Sequence, residues 1–567
     1  MPGGLLNIVA YGEKNIILNG NPTKTFFKST YVKYTNFGLQ KFRIDFEGQT
    51  KLNNESTSKF RFNIPHYGDL LMDTYLAIYM PNIWSSVYRY STESPNHNQF
   101  FPYHFKWIKN LGTQLIKKIT FYIGGHVIQE FTGQYLLNLM QRDFSSEKKD
   151  LYNKMTGNVP EMNDPANSYK RNNNYPNAVY DNIGAEPSIR GRYLYIPINS
   201  WFTLNSKTAF PIVSLKYTNL QIEIETRPIK ELFVVRDLSN GSLDVHSESF
   251  LSHQKNEVPY DNIFEGQYRQ PNLGDPKFAF KRFIMSPPLS NNYDNVSVEW
   301  NPDIHLISTY CFLTGEEVNV FKDGPQNYLI REVYEDTFNT ITDSNYVQLN
   351  NTNGMVSNWM WYFQRDDNYK RNEWSNYSNW PFHNVYPNNY FITPKSTSVA
   401  FNTNYDLSGL YNTTSFYLKG QENTNNTTTK EIMLNMSILC DGKYRETEME
   451  SGIYNYIEKY KRTSGDADEL LYCYNFGLHS NSQEYQPSGA MNLNRFKKVE
   501  FNFKTITPPI DLSNSQITNI CDPSGNIIGV SKPLGSHYKY NFDLTVMEER
   551  YNILQFSSGN AQLIYTR

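Results

Sequence analysis

Residues 119–135 read ITFYIGGHVIQEFTGQY, and residues 436–454 read MSILCDGKYRETEMESGIY. Each stretch predicts a strand, a tight turn, a return strand that carries a glutamate, and then a Gly and a Tyr that open a helix. The turn dipeptides, Gly124-Gly125 and Asp441-Gly442, supply the positive φ that a two-residue hairpin loop demands. A single hairpin is weak evidence, because such turns occur in every β protein. Two hairpins that are each followed by the same Gly-x-Tyr sequence and a further strand indicate an internal duplication.

Strand-like runs dominate the rest of the chain, and the duplication extends into them. The apolar run at 193–198 follows the first hairpin, and the run at 471–476 holds the corresponding place after the second. Residues 215–225, LKYTNLQIEIE, alternate apolar and polar side chains in their second half, as a strand with one solvated face does. The exception is 133–140, GQYLLNLM, which predicts a short helix. The sequence thus predicts two copies of one all-β domain.

The size and composition favour a large β protein. The 567 residues exceed what one ordinary core accommodates, so two or more domains are expected. Aromatic residues make up 15% of the chain, and their side chains suit pleated, half-buried surfaces. The net charge of -3, without a long basic run, argues against direct nucleic-acid binding.

The sequence also indicates the cellular compartment in which the protein is made. It shows no signal peptide and no apolar run near the roughly 20 residues that span a bilayer, so synthesis in the cytoplasm is expected. The cysteines lack the CxxC and Cys/His spacing of metal sites. We expect them to be free, buried thiols in a reducing compartment. They are Cys311, Cys440, Cys473 and Cys521.

Polar stretches divide the chain into predicted regions. Residues 1–25 are expected to form an N-terminal arm, and residues 26–234 and 298–567 the two β domains. Residues 235–297, rich in Pro, Asn, Ser and Asp, are interpreted as a linker or decorated loop. Polar insertions at 145–192 and 365–426 interrupt the first and the second domain. Such insertions normally lie on the surface, where contacts with partners are made.

Motifs near both ends of the chain resemble one protein family. Residues 20–38, GNPTKTFFKSTYVKYTNFG, are aromatic and β-branched although they lie near the N-terminus, where polar residues are expected. Residues 486–490, QPSGA, are followed by Asn492-Leu493-Asn494-Arg495. In this order the motifs resemble the major capsid proteins of nucleocytoplasmic large DNA viruses. Asn494 stands where members of the family often carry Ser, a small polar exchange, and Arg495 is expected to bridge loops.

The resemblance implies an all-β fold of two consecutive eight-stranded antiparallel jelly-roll sandwiches, with short helices and long loop insertions. It implies a major capsid protein that forms a homotrimer, the pseudo-hexagonal capsomer that tiles the icosahedral shell of a large double-stranded DNA virus. Its partners would be neighbouring capsomers and minor capsid proteins, with an inner membrane only indirectly beneath the shell. The protein would assemble in the host cytoplasm and reside in the virion. A minor capsid or scaffold paralogue of the same fold is the alternative within the family.

Catalytic and cofactor motifs are missing from the sequence. It carries no phosphate-binding loop, zinc-protease motif or serine-hydrolase elbow. His126 falls in a hairpin, where a surface role is expected. Asp466 and Asp468 lack the Gly and the distal Glu of a calcium loop and are interpreted as a solvated acidic turn. We therefore predict no catalytic, cofactor-binding or metal residue, no cofactor and no enzymatic activity.

A carbohydrate-binding or glycosidase β-sandwich is the alternative from another functional class. Residues 359–390 are rich in Trp, Tyr and Asn, and aromatic platforms and amides suit sugars. A glycosidase also needs two carboxylates that face one cleft about 5–10 Å apart. Asp366, Asp367 and Glu373 are candidates by proximity in the sequence.

Overall fold

In the computed structural model of the protein, the described residues lie between positions 2 and 565. Within this range the structure describes all residues except 30, 49, 86–87, 90–98, 101–102, 173, 177, 182–183, 238–267, 269, 272–279, 285–299, 351–352, 381, 384–397, 402–413, 419–428, 507–517, 522–526 and 532–539.

Antiparallel strands make up most of the regular secondary structure of the described residues. Up to residue 312 they are β1 (Gly38–Asp45), β2 (Ser58–Asn63), β3 (Leu70–Met80), β4 (Tyr88–Arg89), β5 (Gln99–Phe100), β6 (Tyr103–Trp107), β7 (Ile116–Ile123), β8 (His126–Thr132), β9 (Val179–Asp181), β10 (Gly184–Glu186), β11 (Arg192–Pro197), β12 (Leu220–Thr226), β13 (Phe233–Asp237) and β14 (His305–Phe312).

The remaining strands follow residue 325. They are β15 (Gln326–Ile341), β16 (Ser344–Gln348), β17 (Met355–Arg365), β18 (Ser398–Phe401), β19 (Thr414–Leu418), β20 (Met433–Cys440), β21 (Lys443–Glu450), β22 (Tyr472–Asn475), β23 (Met491–Asn492), β24 (Val499–Thr505), β25 (Thr518–Cys521), β26 (Ile527–Ser531), β27 (Phe542–Ser557) and β28 (Asn560–Leu563).

The helices are short. They are α1 (Leu6–Val9), α2 (Ile16–Asn19), α3 (Leu111–Leu115), α4 (Gly133–Asp143), α5 (Ser146–Met155), α6 (Pro160–Asn163), α7 (Phe280–Ile284), α8 (Gly315–Asp323) and α9 (Glu458–Arg462), the last continuing a π-helical turn at Ile453–Ile457. We call the continuous segment 453–462 the second-roll helix.

The first β domain consists of two four-stranded sheets that face each other. Their strand orders are β1-β14-β3-β11 and β2-β12-β7-β8. Strand β12 shows why they pack, because its side chains alternate buried and half-buried along the strand. Leu194 and Ile196 of one sheet share a core with Ile222 and Ile224 of the other. We call this sandwich the first roll.

The second domain repeats this arrangement with the sheets β15-β27-β17-β22 and β16-β24-β20-β21. Its core is aromatic: the ring centroid of Trp359 lies 5.1 Å from that of Phe501, and Phe363 lies 5.3 Å from Phe503. Counted along each domain, both sheet pairs have the order 1-8-3-6 and 2-7-4-5. That order is a jelly roll, and its recurrence confirms the predicted double jelly-roll fold. We call the second sandwich the second roll.

The two hairpins that revealed the duplication occupy equivalent places. Gly124 and Gly125 have φ of 57° and 83°, and Asp441 and Gly442 have 48° and 74°. These are the left-handed values that a two-residue hairpin turn needs. The first hairpin leads into α4 and the second into the second-roll helix, so the helix predicted at 133–140 is also confirmed.

Strand β14 differs from the sequence-based interpretation, which placed residues 298–567 in the second domain. It pairs with β1 and β3 and completes the first sheet of the first roll. The apolar run of this strand shows that it is buried, but nothing in it specifies which sheet it joins. The second roll therefore takes its first strand, β15, from residue 326 onward.

Parts of the predicted loops pack against the rolls. The insertion 145–192 contains α5 and α6, which bury Tyr152 and Met162. In the predicted linker 235–297, Phe280 of α7 packs 5.9 Å from Trp107 and 5.3 Å from Phe233, measured between ring centroids. Most of that linker, and most of the second insertion after residue 383, lies outside the described residues.

The N-terminal segment lies on the surface. Phe26 and Phe27, at which the first domain was expected to begin, are 88% and 98% exposed. Regular pairing starts only at Gly38, the first residue of β1. The exposed segment thus continues beyond the predicted arm of residues 1–25.

Candidate functional site

The contact between the two rolls is the candidate site, and α4 lies at its centre. Thr132 caps this helix, because its Oγ1 accepts a hydrogen bond from the backbone N–H of Tyr135 at 3.1 Å. At the first position, Gly133, a Cβ atom would lie far inside van der Waals contact with the carbonyl oxygens of Thr113 and Ile116. The sequence Thr-Gly-x-Tyr thus allows α4 to start tightly against the strands.

Arg142, near the end of α4, carries a buried charge into the second roll. Its guanidinium donates to both carboxylate oxygens of Asp143 at 2.7 Å and to Glu549 of β27 at 3.0 Å. It also donates to Asn358 Oδ1 of β17 at 2.7 Å. Tyr135 donates its hydroxyl proton to Glu549 at 2.8 Å. The network therefore joins one helix of the first roll to two strands of the second.

Burial and charge pairing oppose each other in this network, and the pairing prevails. Burial alone would lower the pKa of Arg142, but Asp143 and Glu549 raise it well above its usual value. Burial alone would raise the pKa of Glu549, but the positive charge of Arg142 lowers it. Both groups therefore stay ionised at neutral pH, although neither side chain is exposed to solvent.

A second polar contact lies beside the first. Glu335 of β15 accepts hydrogen bonds from the backbone N–H of Thr132 at 3.1 Å and from its Oγ1 at 2.8 Å. Burial raises the pKa of the Glu335 carboxyl. Gln129 of β8 donates from Nε2 to the carbonyl oxygen of Arg331 at 2.9 Å. Strand β8 and the start of α4 are thereby aligned with β15.

Apolar packing surrounds these polar groups. Met360, Met547 and Phe556 of the second roll belong to the core of the first. Phe556 lies 5.2 Å from Phe210 between ring centroids, nearly perpendicular to it. Because the contact is both buried and hydrogen-bonded, it sets one orientation of the two rolls. This site was not predicted from the sequence. Its one local sign is Arg142, a charged residue at the end of the apolar helix GQYLLNLMQR, which indicates a buried ion pair.

The carboxylates proposed for a glycosidase do not form a free pair. Both oxygens of Asp367 accept hydrogen bonds from Arg365 and from Arg371, at 2.8–3.1 Å. Burial alone would raise the pKa of Asp367, but the two guanidinium groups lower it. Burial raises the pKa of Asp366. Asp367 is thus a buried ion-pair partner, which suits a structural role better than proton transfer.

Three tryptophans of the same region serve the packing of the rolls. Trp359 and Trp361 are fully buried in the core of the second roll. Trp374 donates from Nε1 to the carbonyl oxygen of Glu231 at 2.9 Å, and the guanidinium of Arg227 lies 4.4 Å from its ring centroid. These contacts use the rings as internal packing groups and not as an exposed platform for sugars.

The other residues singled out in the sequence lie in the following surroundings. His126 is exposed at the start of β8. Asp466, interpreted as part of a solvated turn, forms an ion pair with Lys149 of α5 and so links the rolls. Asn494 accepts a hydrogen bond from the backbone N–H of Gly354 at 2.6 Å, whereas Arg495, expected to bridge loops, is exposed.

The described residues also bear on metal binding, membrane spanning and the state of the cysteines. Within the described ranges, no cluster of three or more His, Cys, Asp or Glu is placed to hold a metal ion. Among the helices described, none combines the length and apolar character needed to cross a bilayer. Cys311, Cys440 and Cys473 are buried free thiols, and burial raises the pKa of Cys473 to about 11. Cys521 belongs to β25, and its side chain lies outside the described part.

Comparison with known sequences follows the same division into two rolls. Residues 25–253 match the family model for the major capsid protein N-terminus, and residues 317–562 match that for the large eukaryotic DNA virus major capsid protein. The chain belongs to the major capsid protein family of large eukaryotic DNA viruses. The second match begins after β14, in agreement with the boundary that the sheets show.

Individual relatives agree with this assignment. The major capsid protein of Chrysochromulina ericina virus is 29% identical over 258 residues, an alignment that covers 42% of this chain and 44% of that protein. The aligned part thus spans less than half of that relative. The probable capsid protein 4 of Acanthamoeba polyphaga mimivirus is 22% identical over 553 residues, which cover 90% of this chain and 94% of the relative.

A solved structure shows the same fold. The subunit in the PBCV-1 virus capsid, a quasi-atomic model, superposes with a TM-score of 0.58 at 16% sequence identity. The superposition covers 96% of this chain and 100% of that one. At this identity the likeness establishes the double jelly-roll fold alone.

Proposed function

We propose that the protein is the major capsid subunit of a large DNA virus, and that three copies form a pseudo-hexagonal capsomer. The observation that carries this proposal is the repeated strand order of two rolls joined by a buried contact. Three copies would place six similar rolls around one axis. A ring of this kind presents near-equivalent sides to its neighbours, as a tile in a lattice must.

The role is one of shape and contacts, not of catalysis. The residues that distinguish the candidate site bind each other, and Arg142, Glu549 and Asp143 are fully enclosed. In the assembled shell the partners would be neighbouring capsomers and minor capsid proteins, and the protein would be a component of the virion assembled in the host cytoplasm. Insertions 145–192 and 365–426 are proposed to contribute to the outward tower of the capsomer.

Light scattering coupled to size exclusion tests the proposal. A trimer should have about three times the 66.3-kDa mass of the chain, and electron micrographs should show hexagonal outlines. A stable monomer that binds or cleaves glycans would contradict the capsid function. Copy number in purified particles distinguishes a major subunit from a minor paralogue, because the major protein should dominate a stained gel. For the tower, limited proteolysis of particles should cut the insertions before the strands.

A further inference from the structure

The contact within the chain covers one particular face of the second roll. Along β27, Leu544 and Val546 point into the core of the second roll, whereas Met547 belongs to the core shared with the first. Helix α4 lies on this outward face, where Asn138 donates from Nδ2 to Met547 Sδ at 3.5 Å and Tyr135 binds Glu549. The outward face of the sheet β15-β27-β17-β22 is therefore covered by the helix that follows the first hairpin.

The first roll has the same face on its sheet β1-β14-β3-β11. Leu194 and Ile196 of β11 point into the core, so Tyr193 and Tyr195, which alternate with them, point outward. These tyrosines are 40% and 39% exposed, whereas Cys473, which faces outward on the equivalent strand β22, is 1% exposed. Neighbouring β3 adds Tyr79, whose ring centroid lies 5.1 Å from that of Tyr193. We call this surface the tyrosine face; its outward side chains are Tyr75, Tyr79, Tyr193, Tyr195 and Ile307.

The second roll, in turn, carries the counterpart of α4. The second-roll helix follows its hairpin through the same Gly-x-Tyr sequence that opens α4. Helix α4 is buried nearly all round. On the second-roll helix, Tyr456 and Ile457 are each 55% exposed and Tyr460 is 92% exposed. Tyr460 follows Tyr456 by four residues and Ile457 by three, which places the three side chains on one side of the helix, as an outward apolar stripe.

One chain thus presents both halves of a contact that it also makes internally. We propose that the outward apolar stripe of one copy packs on the tyrosine face of the next copy, repeating between chains the contact that α4 makes between rolls. The partner on each surface is a second copy of this chain. The tyrosine face is equivalent to the face of the second roll that α4 covers, and the second-roll helix is equivalent to α4 itself. The polar rim would include the ion pair of Arg43 with Asp303, 2.7 Å long, at the edge of the tyrosine face.

Such a contact is head-to-tail, since two different surfaces meet. A head-to-tail contact closes into a ring when the rotation that relates one copy to the next is a whole fraction of 360°. The inference rests on the proposed function, in which the ring closes after three copies. It adds the identity of the two surfaces that meet, and it predicts that each copy uses both of them.

Two charge substitutions block one surface each. Ile457→Glu places a carboxylate in the apolar stripe, and Tyr195→Glu places one on the tyrosine face. Each should weaken association at least ~30-fold, the effect of losing a central anchor of an interface. Tyr346→Glu is the matched control, because Tyr346 is 68% exposed on β16 of the opposite sheet. It should leave the trimer unchanged. Circular dichroism and melting temperature should show that all three variants fold.

Mixing the two blocked variants tests the head-to-tail geometry by sedimentation velocity. The intact stripe of the Tyr195→Glu chain can still meet the intact tyrosine face of the Ile457→Glu chain, so a one-to-one dimer should form and stop there. If the folded single variants remain trimers, the proposed surfaces are wrong. They are also wrong if the mixture stays monomeric, and in both cases the wild-type trimer is unaffected. A monomeric wild-type chain would overturn the capsomer itself, and the interface with it.

Discussion

Arg142 and Glu549 are separated by 407 positions in the chain, and their side chains form a buried ion pair of 3.0 Å between the two rolls. A buried pair adds little net stability, because removing both charges from water costs about as much as their attraction returns. Its geometry is nevertheless demanding, since either charge left alone is strongly unfavourable. The pair therefore favours one arrangement of the rolls, and the proposed six-sided capsomer would depend on that arrangement.

Arg142→Met should destabilise the protein by about 3–5 kcal/mol, because it leaves the Glu549 carboxylate buried without its partner. The free energy of unfolding in urea measures this loss. Arg190→Met is the control: Arg190 forms an exposed ion pair with Glu186, and its loss should cost less than about 1 kcal/mol. Adding Glu549→Gln to Arg142→Met should restore part of the stability. Equal effects of the two arginine variants would show that the buried pair is not what orients the rolls.

Gly133→Ala and Gly452→Ala form a matched pair at equivalent positions of the two rolls. A Cβ at Gly133 would collide with two backbone carbonyl oxygens, whereas at Gly452 the nearest atom is Tyr456 Cδ2 at 3.7 Å. We expect Gly133→Ala to lower the free energy of unfolding by several kcal/mol, about 3 or more. Gly452→Ala should change it by less than about 1 kcal/mol. Thermal unfolding of both variants gives the comparison, and similar melting temperatures would contradict the close packing of α4.

The sequence contained the local signals of the fold but not the long-range ones. The dipeptides Gly124-Gly125 and Asp441-Gly442 determine their turns directly, since few other residues accept positive φ. By contrast, β14 reads as an apolar run whose sheet depends on partners more than 200 residues away, so its domain was misassigned. The ion pair of Arg142 could not be predicted either, because a charged residue in an apolar helix does not indicate which distant residue it pairs with. Local patterns predict elements, whereas pairing is settled by packing.

Stability should fall in mild acid because of His104. Its ring stacks on Tyr175 with centroids 4.2 Å apart, and burial lowers its pKa to about 3. In the unfolded chain a histidine titrates near pH 6.5. Between these values the unfolded state binds one proton more than the folded state, so each pH unit below 6.5 costs about 1.4 kcal/mol.

The variant His104→Phe keeps the stacked ring and removes the titrating group. Its free energy of unfolding should therefore depend less on pH between 6.5 and 4 than that of the wild type. His126→Gln, at an exposed position of the first hairpin, serves as the control and should keep the wild-type slope. Urea unfolding at a series of pH values measures all three slopes. Identical slopes for His104→Phe and the wild type would mean that His104 titrates normally in the folded chain.

Deleting residues 2–25 should separate folding from assembly. The described side chains of this arm other than the half-buried Asn15 are exposed; Ile17 and Leu18, for example, are 82% and 88% exposed. Removing them costs the core nothing, so the melting temperature and the trimer mass should match those of the full chain. Exposed apolar side chains in this number indicate a covering partner, which we expect at the inner face of the capsomer, on a neighbouring subunit or a minor capsid protein. Particle yield, counted in electron micrographs, should therefore drop sharply, and normal particles from the shortened chain would refute the arm's role in assembly.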